Sequence, residues 1–221
     1  MSLAKFWDEK VPKRWKHLVE HTKGEKAKRI VNRVAAFYDR ALGEEAVGTV
    51  LDWGCGGGLV GDWLLEEGLA SQVVCADMSE DSLASARKFL EPHGDKAQFV
   101  LVPEHPEDAG DVPFKDIDMV LCHDVIHHFP GVEYFKEMAK LWASIGPRYM
   151  MLNFKVSNEL HEENADGYFE GTQYLRALTM PEELVSDTFA ELGYEISKRY
   201  TFNTAGNPHP KAYVLLKRVE E

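Results

Sequence analysis

Several features that would restrict fold or function are scarce or absent in this 221-residue sequence. It contains no run of about 18 consecutive apolar residues, the length that a membrane span needs. Its first residues, MSLAKFWDEK, lack the apolar core of a secretory signal. The cysteines Cys55, Cys75 and Cys122 include no close pair, which disfavours a disulfide framework or a zinc ribbon. These absences predict a cytoplasmic protein with free thiols.

Internal repeats, low-complexity tracts and flexible linkers are also absent, so a chain that is 44% apolar is expected to build one main core. Its charge is uneven. The net charge is −12, yet residues 1–40 contain eleven Lys and Arg against five Asp and Glu. The acidic remainder disfavours a broad nucleic-acid interface, whereas the basic amino-terminal segment leaves an anionic partner open.

Apolar periodicity predicts that strands and helices alternate along the chain. Two leading helices are predicted at 13–22 and 25–42. The following segments are predicted as strands at 48–53, 72–76, 98–102, 117–122 and 147–154, and as helices at 59–68, 80–91 and 131–144. Strands that are apolar throughout and alternate with helices indicate a doubly wound α/β sheet, mostly parallel, whose ligand binds at the carboxyl ends of the strands.

The pattern changes after residue 155. A polar stretch at 156–178 predicts an insert. The glycines that flank its aromatic residues suit a lid that orders on binding, and they suit an ordinary mobile loop equally well. A helix is expected to begin within 179–184, with Thr179 as its N-cap and Pro181 in its first turn. The last segments, YEISKRYTFN and KAYVLLKRV, predict an antiparallel hairpin. We therefore expect an N-terminal helical cap over 1–44 and an α/β domain over 45–221.

A glycine-rich turn joins the first predicted strand to its helix. It contains Asp52, Gly54, Gly56 and Gly58, and Asp77 ends the next strand. A carboxylate at that position can accept hydrogen bonds from ribose hydroxyls, which indicates a nucleoside-bearing cofactor. The G-x-G-x-G spacing differs from that of pyrophosphate binders. The preceding acidic residue would repel a pyrophosphate and attract an ammonium group.

At these residues the sequence resembles the class I S-adenosylmethionine-dependent methyltransferases. The similarity covers about residues 48–155 and rests on the order of four segments: VLDWGCGGG (50–58), VVCADMS (73–79), VPF (112–114) and DMVLCHDVIHHF (118–129). It implies a Rossmann-like fold, with the leading helices and the closing hairpin as parts of the same architecture. It also implies S-adenosyl-L-methionine as the cofactor.

The resemblance assigns a part of the cofactor to each matched residue. The turn from Asp52 to Gly58, Cys55 included, would line the methionine part, Asp77 would hold the ribose hydroxyls, and Met78 would pack against adenine. Glu104 is the nearest match to the acidic residue that often contacts the adenine amino group, with Glu107 as the alternative. His123 follows the fourth strand at a position where the family places packing or cofactor-contacting histidines.

The segment CHDVIHHF (122–129) holds the candidate catalytic residues. If 123–128 formed a helical turn, His123 and His127 would share one face. A hydroxyl or amine acceptor must lose a proton, and a histidine can take it, with His127 the first choice and His123 the second. Two histidines and an acid could instead ligate a metal ion, but the sequence offers no second cluster of ligands, so no metal is expected.

Substrate determinants are expected in the two leading helices and in the insert, where Tyr168, Tyr174 and Arg176 combine aromatic and basic side chains. Such a combination suits a small, partly apolar substrate with an anionic substituent. The favoured function is methyl transfer to a small-molecule hydroxyl or amine. The alternatives are an RNA or other nucleic-acid methyltransferase, supported only by the basic segment, a nicotinamide-dependent oxidoreductase, and a binding protein that holds the cofactor without catalysis.

Overall fold

The computed structural model describes residues 25–109, 114–160, 178–202 and 210–219. Five α-helices lie within these ranges: α1 (Glu25–Ala41), α2 (Leu59–Glu66), α3 (Glu80–Phe89), α4 (Val132–Ile145) and α5 (Glu182–Ala190). The strands of the same ranges are β1 (Val47–Trp53), β2 (Ala70–Asp77), β3 (Ala97–Leu101), β4 (Ile117–Cys122), β5 (Tyr149–Val156), β6 (Thr179–Met180), β7 (Tyr194–Phe202) and β8 (Lys211–Arg218). Short 3-10 turns occupy Glu91–Lys96, Pro106–Ala109 and Ile126–His128.

The eight strands form one sheet with the order β3-β2-β1-β4-β5-β8-β7, and β6 pairs with the end of β5. The pairs from β3 through β5 are parallel, and β8 is antiparallel to both β5 and β7. This confirms the doubly wound α/β sheet, mostly parallel with an antiparallel C-terminal hairpin. The reversal of strand order at β1 and β4 puts a ligand crevice at their carboxyl ends.

Both faces of the sheet are covered, which is why its central strands are apolar at every position. Alternate residues of each strand enter two separate cores. One core contains Leu51 and Val120 beneath α4 and α5, and the other contains Val50 and Met119 beneath α1 and α2. The first leading helix at 13–22 lies outside the described residues, and so does most of the insert at 156–178.

One boundary prediction was wrong. Thr179 does not cap a helix; it pairs with Lys155 in the parallel β5–β6 pair. The helix begins at Glu182, with Pro181 as its N-cap in extended conformation. Thr179 is buried, and its backbone belongs to the sheet, so the helix can begin only after it. Across the described ranges, no helix combines the length and apolar character needed to cross a membrane.

Candidate active site at the carboxyl ends of the strands

The glycine turn after β1 is held by left-handed backbone conformations and by the end of β2. Gly54, Gly56 and Gly58 have φ angles of 71°, 54° and 81°, which glycine adopts without steric cost. The N–H groups of Gly54 and Cys55 donate to the carbonyl of Ala76 at 2.7 and 3.1 Å. The turn therefore has a fixed shape and carries few side chains above its backbone.

Asp77 ends β2 beside this turn. Its Oδ2 accepts a hydrogen bond from the Gly56 N–H at 2.9 Å, and its Oδ1 accepts one from the Ser79 N–H at 2.9 Å. A carboxylate oxygen can accept more than one hydrogen bond, which is the property that binding a ribose hydroxyl requires. Asp77 thus also braces the glycine turn, a role that the spacing alone did not indicate.

Asp52 is a nearly buried carboxyl group at the end of β1, with 3% of its surface exposed. Its Oδ2 has no hydrogen-bond partner among the described residues. Burial, and then the charge of Asp77, raise the pKa of Asp52 from 3.8 to about 7. A buried acceptor without a partner is costly. An ionised carboxylate here would attract a cation, and the amino-acid part of S-adenosylmethionine carries an ammonium group.

The other residues matched to the cofactor lie around the same end of the sheet. Met78 is half-buried against the core, and Cys55 is partly buried in the turn. A hydrogen bond with Cys75, together with burial, raises the pKa of the Cys55 thiol. Glu104 follows β3 and accepts a hydrogen bond from the Tyr134 hydroxyl through its backbone carbonyl at 2.8 Å.

The segment after β4 does not form the expected helical turn. Only Ile126–His128 is a 3-10 turn, and Asp124 has a φ of 58°. Its N–H donates to Asn153 Oδ1 at 2.6 Å, and Asn153 Nδ2 donates back to Asp124 Oδ1 at 2.8 Å. These two bonds to β5 hold the backbone away from helical geometry. The condition under which His123 and His127 would share one face of a helix is therefore not met.

His123 and Asp124 belong to a polar cluster that β5 and β8 complete. His123 Nε2 lies 2.9 Å from the Tyr213 hydroxyl, and Lys211 Nζ donates to Asp124 Oδ1. We use the name polar cluster for the following five residues: His123, Asp124, Asn153, Lys211 and Tyr213. Burial would raise the pKa of Asp124, but the charges of His123 and Lys211 outweigh it and hold that pKa below its usual range.

The remaining histidines of the segment are less accessible. His127 is 7% exposed, and its ring centroid lies 4.0 Å from that of His128. Burial lowers the pKa of His127 and brings that of His128 to about 3, so both rings are neutral near pH 7. His127 Nδ1 is buried without a hydrogen-bond partner among the described residues. Burial also lowers the pKa of His123.

Sequence reasoning missed Asn153, Lys211 and Tyr213. The Asn153–Tyr213 pair depends on the antiparallel register of β5 and β8, which no local pattern specifies. The one local signal was a polar residue within the apolar run YMMLNF. Tyr168, Tyr174 and Arg176 lie outside the described residues. Within the described ranges, no group of three or more His, Cys, Asp and Glu side chains is arranged to hold a metal ion.

Comparison with known proteins agrees with this geometry. Residues 50–146 match the family model described as a methyltransferase domain. Magnesium protoporphyrin IX methyltransferase from Synechocystis, solved with bound S-adenosylhomocysteine, has a similar structure, with a TM-score of 0.70, 19% identity, and coverage of 98% of this chain and 97% of that chain. The 1,6-didemethyltoxoflavin-N1-methyltransferase from Burkholderia thailandensis gives a TM-score of 0.66 and 14% identity over 100% of this chain and 92% of that chain.

The sequence search against curated proteins found no match. The solved structures are less than 25% identical and establish the fold, whereas the family match covers the glycine turn and the segment after β4. Together they show that residues 50–146 are similar to a methyltransferase domain and that the chain has the fold of the two methyltransferases named above.

Proposed function

We propose that the protein transfers the methyl group of S-adenosylmethionine to a hydroxyl or amine of a small molecule. The observation that supports this best is the contact between the glycine turn and the segment after β4. A Cβ at Gly54 would lie only 2.4 Å from Val125 Cγ2. A cofactor seated on the turn would therefore lie next to the segment after β4, which contains His123. Methyl transfer needs such proximity between the donor and the acceptor's binding groups.

The described residues fit the parts of this cofactor. Asp52 would pair with the ammonium group, and the turn from Gly54 to Gly58 would line the methionine part. Asp77 would accept the ribose hydroxyls, Met78 would pack on adenine, and Glu104 would accept from the adenine amino group. S-adenosylmethionine supplies an electrophilic methyl group when it is bound. The protein's residues then have to hold the acceptor in line and accept its proton.

We propose His123 ahead of His127 as the proton acceptor, a change from the order expected on sequence. His123 is partly exposed and is oriented by Tyr213 at 2.9 Å, whereas His127 is 7% exposed and packs on His128. In the tautomer whose Nε2–H donates to the Tyr213 oxygen, Nδ1 is free to accept a proton. The lowered pKa of His123 keeps the ring neutral, as a proton acceptor must be.

A small acceptor fits the charge of the chain better than a nucleic acid does. Outside residues 1–40 the sequence is strongly acidic, and a phosphate backbone would be repelled. The names of the two similar structures also describe small-molecule methyltransferases. RNA stays the second candidate, because residues 1–40 are basic. We also propose a cytoplasmic location, in keeping with the free thiols of Cys55, Cys75 and Cys122.

Label transfer from methyl-labelled S-adenosylmethionine tests the proposal. The purified chain is incubated with a small-molecule extract or with total RNA over a range of salt concentrations. We expect label in the small-molecule fraction with little salt dependence. Label in RNA that falls steeply with salt would contradict the proposal, because phosphate contacts release counterions.

Variants test the proton acceptor in the same assay. His123→Ala should lower kcat by about a hundredfold, within the usual range for general-base catalysis, while the affinity for S-adenosylhomocysteine is retained. The matched control is His105→Ala at an exposed position. If His123→Ala keeps the wild-type kcat and His127→Ala loses it, His127 is the proton acceptor instead.

A further inference from the structure

We propose that the methyl acceptor carries an anionic oxygen group, a carboxylate or a phosphate, which binds between Arg33 of α1 and Lys155 of β5. This inference rests on the proposed function and adds the substrate class. It is based on an excess of positive charge around the polar cluster, at the end of the sheet where the acceptor must bind.

The first observation is a pair of lysines that face each other across two strands. Lys155 of β5 is directly opposite Lys211 of β8 in the antiparallel register. Like charges at directly opposite positions destabilise a sheet. Burial, followed by the charge of Lys211, lowers the pKa of Lys155. Such an arrangement costs stability unless an anion binds there.

The second observation is that, within the described ranges, an acidic residue pairs with only one of these lysines. Asp124 accepts a hydrogen bond from Lys211, and the same carboxylate oxygen also accepts from Asn153 at 2.8 Å. Lys155 is half-buried and forms no ion pair with any residue of the described ranges. Among the described residues, the polar cluster therefore has one neighbouring positive charge on β5 without an ion-pair partner.

The third observation is a further cation on the helix above. Phe37 of α1 packs on Tyr213, with ring centroids 5.5 Å apart. Arg33 lies four residues earlier, on the same face of the helix and one turn nearer its amino end. Its charge acts on His123 and Tyr213. Arg33 is half-buried and has no ion-pair partner in the part of the chain that the structure describes.

Arg33 and Lys155 thus flank the polar cluster from the helix and from the sheet. An arginine guanidinium binds a carboxylate or phosphate through two parallel N–H groups, and a lysine adds a compact charge. One anion between them would offset both cations and orient the acceptor next to His123. Arg40 of the same helix is already engaged, because its guanidinium lies 4.1 Å from the centre of the Tyr200 ring.

The experiment fractionates a small-molecule extract on an anion exchanger and assays each fraction for label transfer. We expect label only in retained fractions. Prior phosphatase treatment separates the two sources: loss of the labelled product indicates a phosphate, and its persistence indicates a carboxylate. Label confined to the unretained fraction would overturn the anionic class and leave the methyltransferase proposal standing. No label in any fraction would overturn the proposed function and this inference with it.

Variants then assign the anion to its residues. Arg33→Met and Lys155→Met should each raise the KM for the retained acceptor by about tenfold to a hundredfold, the loss expected for one hydrogen bond to a charged group. Their kcat should change little. The matched controls are Arg40→Met on the same helix and Lys217→Met at the far end of the β5–β8 pair.

S-adenosylhomocysteine affinity checks that each variant is folded. Unchanged KM values in both Arg33→Met and Lys155→Met, with that affinity intact, would refute the assignment. An equal rise in KM for the control variants would refute it too, because it would indicate a general charge effect.

Discussion

The buried carboxyl group of Asp52 predicts an unusual dependence of stability on pH. Burial and the charge of Asp77 raise its pKa from 3.8 to about 7 in the folded protein. Between these values the folded state binds more protons than the unfolded state, so the free energy of unfolding falls as pH rises. A difference of about three pKa units corresponds to roughly 4 kcal/mol once the pH exceeds the folded-state pKa.

Asp52→Asn removes this contribution. An amide resembles the protonated carboxyl in shape and cannot ionise. We expect wild type and variant to have similar free energies of unfolding at about pH 4, whereas at about pH 8 the variant should be more stable by up to roughly 4 kcal/mol. Urea unfolding of both proteins at each pH measures this, and the difference between them cancels the other titrating groups.

The same variant tests the proposed ammonium contact. At about pH 8, Asp52→Asn should bind S-adenosylhomocysteine at least about tenfold more weakly, because a neutral amide lacks the charge that attracts the ammonium group. If Asp52→Asn is more stable but binds S-adenosylhomocysteine more weakly, the buried carboxylate lowers stability in return for ligand binding. The reasoning fails if the stability difference between the two proteins is the same at both pH values.

Three further predictions concern the site and the core. Gly54→Ala should lower the free energy of unfolding by about 1–3 kcal/mol, as measured by urea unfolding. The backbone φ of Gly54 is 71°, and the new Cβ would lie 2.4 Å from Val125 Cγ2. An unchanged midpoint of urea unfolding would contradict this prediction. If His123 is the base, the rate should fall with a midpoint below pH 6.5, the usual pKa of histidine, because burial lowers the pKa of His123 and the protonated ring cannot accept a proton. A midpoint at or above pH 6.5 would contradict this role for His123. Trp142→Phe should lower the free energy of unfolding, measured by thermal unfolding, by less than about 2 kcal/mol, because the buried Nε1 of Trp142 has no hydrogen-bond partner among the described residues. A loss of about 3–5 kcal/mol, as expected for truncation to Ala, would refute this prediction.

The parallel part of the sheet could be predicted because its pattern is local. Residues such as Val50 and Leu51 enter opposite cores, so a central strand reads as a continuous apolar run. The glycine turn was visible for a similar reason: Gly54, Gly56 and Gly58 require backbone conformations that other residues rarely adopt.

Features that depend on distant pairing could not be read from the sequence. Thr179 is a residue type that often caps helices, but here its backbone pairs with β5 in the sheet. His123 and His127 have helical spacing, but the bonds between Asp124 and Asn153 impose a left-handed turn between them. Lys211 reaches the site only through the register of β5 and β8.

The most direct test of the central claim is calorimetric titration of the protein with S-adenosylhomocysteine, for wild type and for Asp77→Asn. We expect saturable binding to the wild type. We also expect an affinity at least about tenfold lower in the variant, because Asp77 both braces the glycine turn and would accept the ribose hydroxyls. Ser82→Ala, at the first turn of α3, is the control and should bind as the wild type does. Absence of binding to the wild type, or equal affinity in Asp77→Asn, would contradict the account.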